Sequence, residues 1–211
     1  MEPSATKKRI IESAISLFNE KGIANVRLTQ ISDEAGISVG NLAYHFKNKE
    51  AIVEAVYAQL IEEFAEVLSG YLSESSLLDF DNQLSSYYAF FKHNRFYLFN
   101  IFEIEQSYPS IHQRWQRYIS KMVTQLRKRL DYLVDSGSLE SECQPGDFDL
   151  LAQTIWITIT FWIPQQVIRG KNHRPEMYRR AVWGLILPHL TFKGKEEYNL
   201  LIHPLIYQSK D

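Results

Sequence analysis

Two glycines constrain the start of this chain more than any other feature. Gly22 and Gly36 cut residues 5–46 into one helical run and two very short ones. Residues 5–21 place Ile10, Ile11, Ala14, Ile15, Leu17 and Phe18 at helical spacing, with Lys7, Lys8, Glu12 and Asn19 off that face. Gly22 follows as a C-terminal stop. Thr29 begins a short helix carrying Ile31 and Ala35, and Gly36 ends it. Ser38 starts another that runs to about Phe46. Three helices, the last two joined by a tight Gly36-Ile37 turn, make a helix-turn-helix pattern.

The residues of that last short helix suit a nucleic-acid groove. Ser38 caps it and leaves its first-turn amides aimed outward. Gly40 and Ala43 keep it thin. Asn41 offers a donor and an acceptor to a base edge. Tyr44 and His45 lie one turn on, within reach of flanking phosphates. Lys47 and Lys49 add positive charge beside the start of the next helix, itself an anion-favouring end. Val39 completes the set. Several side chains carry a second reading. Tyr44 packs or meets phosphate, His45 meets phosphate or makes a structural hydrogen bond, and Lys47 is a contact or a solvated lysine. Ile10, Leu17, Phe18, Leu28, Ile31, Leu42 and Phe46 are core of the small domain.

The text Ile10-Ile-Glu-Ser-Ala-Ile-Ser-Leu-Phe18, Gly22, Val26-Arg-Leu-Thr-Gln-Ile-Ser32 and Ala35 to Glu50 resembles the DNA-binding domain of the tetracycline-repressor (TetR) family of bacterial transcriptional regulators. The resemblance covers residues 7–54. It implies a two-domain, all-helical homodimer whose N-terminal helices bind an operator and whose variable C-terminal domain binds a small effector. It also implies that Lys49 keeps a family lysine, and that Thr29, besides its reading as a helix cap, meets a phosphate. Two positions depart. Ala43 stands where the family has an aromatic, usually tyrosine, and Asn41 where threonine is frequent. The phosphate-reading set is therefore shifted, and the operator cannot be borrowed from better-known members. The first fifty residues carry seven basic and six acidic side chains, so affinity rests on placement more than on bulk charge.

The rest of the chain reads as helix at 49 to about 72, 80–93, 96–106, 109–136, 147–169 and 175–190, with a break at 71–78. Pro109 suits a first turn and Gly137 a C-terminal cap. Ile155 to Phe161 alternates like a strand, but a lone strand has no partner, so the expectation is a buried helix weakened by Pro164. Twelve aromatics crowd residues 80–118, against three in residues 1–50. That excess, with polar His93, Asn100, Glu103, Glu105, Gln106 and His112 among it, predicts a small-molecule pocket. The expected lining is Tyr87, Phe91, Phe99, Phe102, Glu103, Tyr118, Trp156 and Thr160. The plain alternative is closed core, with Glu103 paired to Arg95 or Lys92. A buried Glu103 would favour a cation or a hydrogen-bond donor.

The fold expected is all-α: an N-terminal three-helix helix-turn-helix domain at 1–50, and a helical ligand-binding and dimerisation domain at 51–211. The helix from Lys49 would carry a ligand-dependent tilt to the DNA. Leu150, Leu151, Ile155, Ile159 and Trp162, with Ala181, Trp183, Leu185, Ile186 and Leu187, offer apolar surface for a homodimer, and Gly184 allows close helix approach. The function expected is a DNA-binding regulator, a repressor released from its operator by a small, mostly apolar ligand. The competing readings are a helical binding or carrier protein, or an all-α enzyme on an apolar substrate, with the helix-turn-helix as scaffold only.

Composition narrows the alternatives. Among 211 residues, 45% are hydrophobic and 23% charged, the balance of a globular protein with a core. A net charge of −2 advertises no global attraction to nucleic acid. One cysteine, Cys143, excludes a disulfide scaffold, and its acidic neighbours argue against a reactive thiolate. The six histidines have no metal-ligand spacing with each other or with Cys143, and the sequence has no glycine-rich phosphate loop and no Gly-x-Ser-x-Gly elbow. No cofactor or metal is expected, and no catalytic residues. The most apolar stretch, Ile155 to Ile163, is far short of the roughly 20 residues a spanning helix needs. The N-terminus lacks a signal-peptide core. The expected setting is cytoplasmic, without a membrane partner.

Overall fold

The computed structural model describes residues 4–69 and 76–207, with the side chains of residues 68, 69, 101–103, 105, 106 and 110 outside that description. Its helices are α1 (Ala5–Lys21), α2 (Leu28–Glu34), α3 (Val39–His45), α4 (Lys49–Ser69), α5 (Leu77–His93), α6 (Arg95–Ser107), α7 (Pro109–Asp135), α8 (Asp147–Ile168), α9 (Pro175–Ile186), α10 (Phe192–Glu197) and α11 (His203–Tyr207). Leu187–His189 forms a 3-10 turn after α9, and Tyr198–Ile202 a π turn between α10 and α11. Among the described residues, extended pairing is an isolated antiparallel bridge between Leu139 and Leu190. No helix among them is long and apolar enough to cross a membrane.

The chain divides into two compact units, one of Met1–Ala65 and Asn94–His112, the other of Glu66–His93 and Gln113–Asp211. In the first, Ser4 caps α1 by accepting from the Lys7 amide, and the Gly22 amide closes it on the Phe18 carbonyl at 2.9 Å. Ile10, Ala14, Phe18, Ile31, Leu42, Ile52, Val53 and Val56 are buried together with Tyr57. The α6 helix joins this core through Phe96, whose ring lies 5.9 Å from those of Phe18 and Tyr57. Asn19 fixes the start of α6, because its Oδ1 accepts from the Phe96 amide at 2.9 Å. Asn100, one of the polar groups without an obvious place, donates back to the Phe96 carbonyl at 2.7 Å.

In the second unit α5, α8 and α9 pack on one another. The strand-like alternation in α8 is helical after all: Ile155, Trp156, Ile159, Thr160 and Ile163 are buried while Ile157 and Phe161 stay exposed. Pro164 sits inside the helix, which continues to Ile168. Tyr178 ties α9 to α8 by donating to the Ile159 carbonyl at 2.9 Å. The expected helix at 175–190 ends as α-helix at Ile186. The segment from 192 to 207 also coils, although its sequence carries no apolar period that announces it. Residues 70–75 of the expected break lie outside the described residues, and α5 starts earlier than residue 80 because Ser76 caps it, accepting from the Asp79 amide at 3.1 Å.

Candidate functional site

The short helix α3 is built to present one face. Ser38 occupies its N-cap, and Oγ accepts from the Asn41 amide at 3.1 Å. Gly36 adopts φ 63°, a left-handed conformation that glycine reaches without a Cβ penalty, so the chain turns directly from α2 into α3. Leu42 and Phe46 are buried beneath. Ser38, Val39, Gly40, Asn41, Tyr44 and Lys47 are exposed, with Tyr44 at 85%. His45 is half-buried and meets the Tyr44 ring edge-on at 5.2 Å. The α3 helix thus gathers an amide side chain, a phenol and an imidazole over an apolar base, and Lys47 follows just past its end.

Two expectations change at the edges of this site. Thr29 is not the cap of α2. Arg27 occupies the N-cap position, its amide donating to Gln30 Oε1 at 2.8 Å, and Thr29 lies in the first turn, exposed. Arg27 is itself an exposed cation two residues before Thr29 and joins the site beyond the residues expected from sequence; a basic residue directly ahead of a short helix is the signal that marks it. Lys49 is half-buried, and its Nζ donates to the Ala24 carbonyl at 3.2 Å. Its charge therefore also closes the loop between α1 and α2. At the start of α4, Asn48 Oδ1 accepts from the Ala51 amide at 3.0 Å.

The expected ligand residues divide between the units. Tyr87, Phe91, Tyr118, Trp156 and Thr160 belong to the second and are all buried. Thr160 is turned onto its own helix, donating to the Trp156 carbonyl at 2.9 Å. Phe99 belongs to the first unit and is half-exposed, and the side chains of Phe102 and Glu103 lie outside the described residues. Tyr87 alone of these lines the described interior cavity of the second unit, a space of about 20 Å³ bounded also by Gln83, Met122, Gln125, Leu126 and Arg129. Glutamine and arginine there are not among the expected lining residues, because an excess of aromatics gives no sign of where long polar side chains turn inward.

The residues expected to pair two copies of the chain also divide. Ile155, Ile159, Trp183 and Ile186 are fully buried within one protomer. They fill its core and are not free for a partner. The exposed apolar residues of α8 are Leu150, Ile157, Phe161, Val167 and Ile168, with Met177 on α9. Helical geometry sends one face of α8 into the core and the opposite face to the surface, a division that a list of apolar residues does not capture.

Comparison with known proteins agrees with this architecture. The family model described as bacterial regulatory proteins, tetR family, matches residues 10–56, and a second, described as a bacterial transcriptional repressor of the TetR type, matches residues 46–198. The probable HTH-type transcriptional regulator YttP of Bacillus subtilis is 29% identical over 57% of this chain and 51% of its own. RutR of Escherichia coli is 42% identical over 28% of each chain. The chain thus matches about half the length of the first of these and a quarter to a third of the second. The HTH-type transcriptional repressor KstR2 of Rhodococcus jostii is 23% identical over 88% of this chain and 94% of its own. A TetR-family regulator from Marinobacter aquaeolei superposes with a TM-score of 0.83 at 22% identity, covering 93% of this chain and 97% of the other. With one model on the helix-turn-helix and the other on most of the remaining helices, the chain belongs to the TetR family of bacterial transcriptional regulators.

Proposed function

We propose that the chain is a repressor that holds an operator through residues 1–50 and is released by a small, mostly apolar effector bound within residues 51–211. The observation that carries the DNA half is the exposed row Ser38, Val39, Gly40, Asn41, Tyr44 and Lys47 on a capped helix with a buried base. In this reading Asn41 meets a base edge, while Thr29, Tyr44, His45, Lys47 and Lys49 hold phosphates. Repression as the sign is supported by the family description and by the name of the Rhodococcus relative.

A single helix-turn-helix reads a short half-site, and two copies spaced by about 34–36 Å meet successive major grooves. We therefore infer a homodimer, formed through the exposed side of α8 together with α9, where Gly184 is also exposed. An effector acts by its differential affinity for the two states, and a coupling of about 1–3 kcal/mol changes operator affinity roughly 5–150-fold. Fluorescence anisotropy with DNA from upstream of its own gene and the adjacent one tests the first half. Tight, salt-dependent binding to a defined segment is expected, and equal binding to any sequence defeats it. A thermal-shift screen of neutral, cationic and anionic apolar compounds, followed by operator release, tests the second.

A further inference from the structure

Lys7 stands on the line of the buried face of α1. It lies one turn before Ile10 and Ile11, both buried, so its stem runs over the core while its charge is carried to the edge of the unit. The residue is accordingly half-buried, whereas Lys8 and Arg9 beside it are exposed. Lys7 Nζ lies 5.5 Å from the centroid of the Phe46 ring, a cation–π distance. Phe46 is the C-cap of α3, its amide donating to the Leu42 carbonyl at 2.8 Å, and exposed Lys47 follows it directly. Lys7 and Lys47 are thus drawn to the same end of α3, one through the ring and one through the chain. An aromatic face steadies an ammonium but does not neutralise it. No acidic residue falls between Pro3 and Ile11. Among the described residues, no carboxylate lies within ion-pair distance of Lys7.

We infer that Lys7 is a phosphate contact of the operator, held in place by Phe46, so that α1 as well as α3 grips the DNA backbone. The inference rests on the operator reading above and adds a residue to it. The occupant follows from continuity with the exposed face of α3. When that face enters a major groove, the phosphates bordering the groove run past the ends of the helix. A phosphate at the Phe46 end meets Lys47 from the chain beyond α3 and Lys7 from α1. Lys7 reads no base. It fixes the approach of the helix, which is what phosphate contacts supply, while sequence preference stays with the base edges. An ammonium suits this role, because it meets a phosphate as a point charge with rotatable donors. The ring matters because a lysine stem has many rotamers. Holding the charge beside α3 before DNA arrives lowers the entropy lost on binding.

The test follows the fluorescence anisotropy of DNA with the full chain across a salt series. One probe is DNA from upstream of its own gene, the other unrelated DNA of equal length. Lys7→Gln keeps most of the stem and removes the charge. It should weaken binding to both DNAs by the same factor and lower the salt slope by about 0.9 for each half-site held, as one fewer phosphate is neutralised. Lys7→Arg should keep the slope of the unaltered chain. Lys21→Gln, at the far end of α1 about 21 Å away, should also leave it unchanged, because that distance exceeds the Debye length of about 8–10 Å. Melting curves run beside these titrations, since a contact that serves packing alone lowers the midpoint and not the slope. An unchanged slope in Lys7→Gln overturns the inference, whatever the midpoint does, and leaves the operator reading standing. An equal loss of slope in Lys21→Gln overturns it too, because the effect is then one of overall charge. An unaltered chain with no salt-dependent DNA binding overturns the operator reading and this inference together.

Discussion

Arg179 donates from Nε to Asp81 Oδ1 at 2.9 Å, although 98 residues separate the two in sequence. A second guanidinium nitrogen reaches Asp81 Oδ2, and Trp183 Nε1 donates to Asp81 Oδ1 at 2.9 Å. Asp81 is fully buried and Arg179 nearly so. The carboxylate thus joins α5 to α9 and satisfies three donors at once. Removing one side of such a pair strands the other in a medium that solvates it poorly. Asp81→Ala should lower unfolding free energy by about 3–5 kcal/mol. Replacing both partners with apolar residues of similar volume, Asp81→Leu with Arg179→Met, should cost much less. Urea denaturation of the three variants checks this; a double variant as unstable as Asp81→Ala would show that the pair does more than satisfy itself.

That pair also marks what the sequence could and could not tell. Apolar periods and the cap at Ser38 are local, so α1, α3 and the start of α4 are legible from neighbours a few residues away, while the caps at Ser4 and Asn48 emerge only in the structure. The alternation in α8 misleads locally, and only the absence of any partner strand points to helix. Asp81 gives no sign of Arg179, because that contact depends on how α5 and α9 pack. The same holds for Gln83 with Gln125 and Arg129, which converge from α5 and α7. Short α10 and α11 have too few turns to show a period, and α10 is held by the distant loop at 136–139, where Ser138 Oγ donates to Glu197 at 3.0 Å.

Gly194 shows how tightly that loop is held. Its Cβ, if it had one, would fall on the Ser138 carbonyl oxygen, and that neighbour is backbone. Thr191 donates to the Gly137 carbonyl at 2.7 Å, and Lys193 to that of Ser136 at 2.6 Å, so the loop has little room to yield. Gly194→Ala should destabilise by about 1–3 kcal/mol, as overpacking does, despite the better helix propensity of alanine. Thermal denaturation measures it. An unchanged or raised midpoint would mean that the loop moves freely.

The two lysines beside α3 should separate in behaviour. Lys47 is exposed, so Lys47→Ala should leave stability unchanged and reduce the salt slope of operator binding by about 0.9, the loss of one phosphate contact. Lys49 donates to the Ala24 carbonyl, so Lys49→Ala should also cost about 0.5–1.5 kcal/mol of stability. Anisotropy titrations across a salt series, with melting curves beside them, distinguish the roles. A salt slope unchanged in both variants removes both lysines from the phosphate set.

Asn41 should carry sequence preference instead. Its side chain is exposed while its amide is committed to the Ser38 cap, so substitution at the side chain leaves the helix start intact. Asn41→Ala should cost about 1–3 kcal/mol on the preferred operator and little on unrelated DNA. Equal losses on both would reassign Asn41 to the backbone contacts.

The exposed face of α8 offers residues that test the dimer contact without disturbing the core. Ile159 and Trp183 are poor probes, because both are fully buried in the protomer and their loss would unfold it. Ile157 and Phe161, one turn apart on α8, are 56% and 41% exposed. In an isologous interface each substitution enters twice. Phe161→Glu therefore removes apolar area and brings two carboxylates into the contact, while the isolated protomer loses little because the ring is partly in water already. The expected result is a monomer at micromolar concentration with an unchanged far-ultraviolet dichroism spectrum. Operator affinity should fall with it, since a lone protomer holds one half-site. Sedimentation velocity on Phe161→Glu and Ile157→Glu measures the assembly. Dimers that persist in both variants at wild-type strength would place the interface elsewhere than on this face of α8.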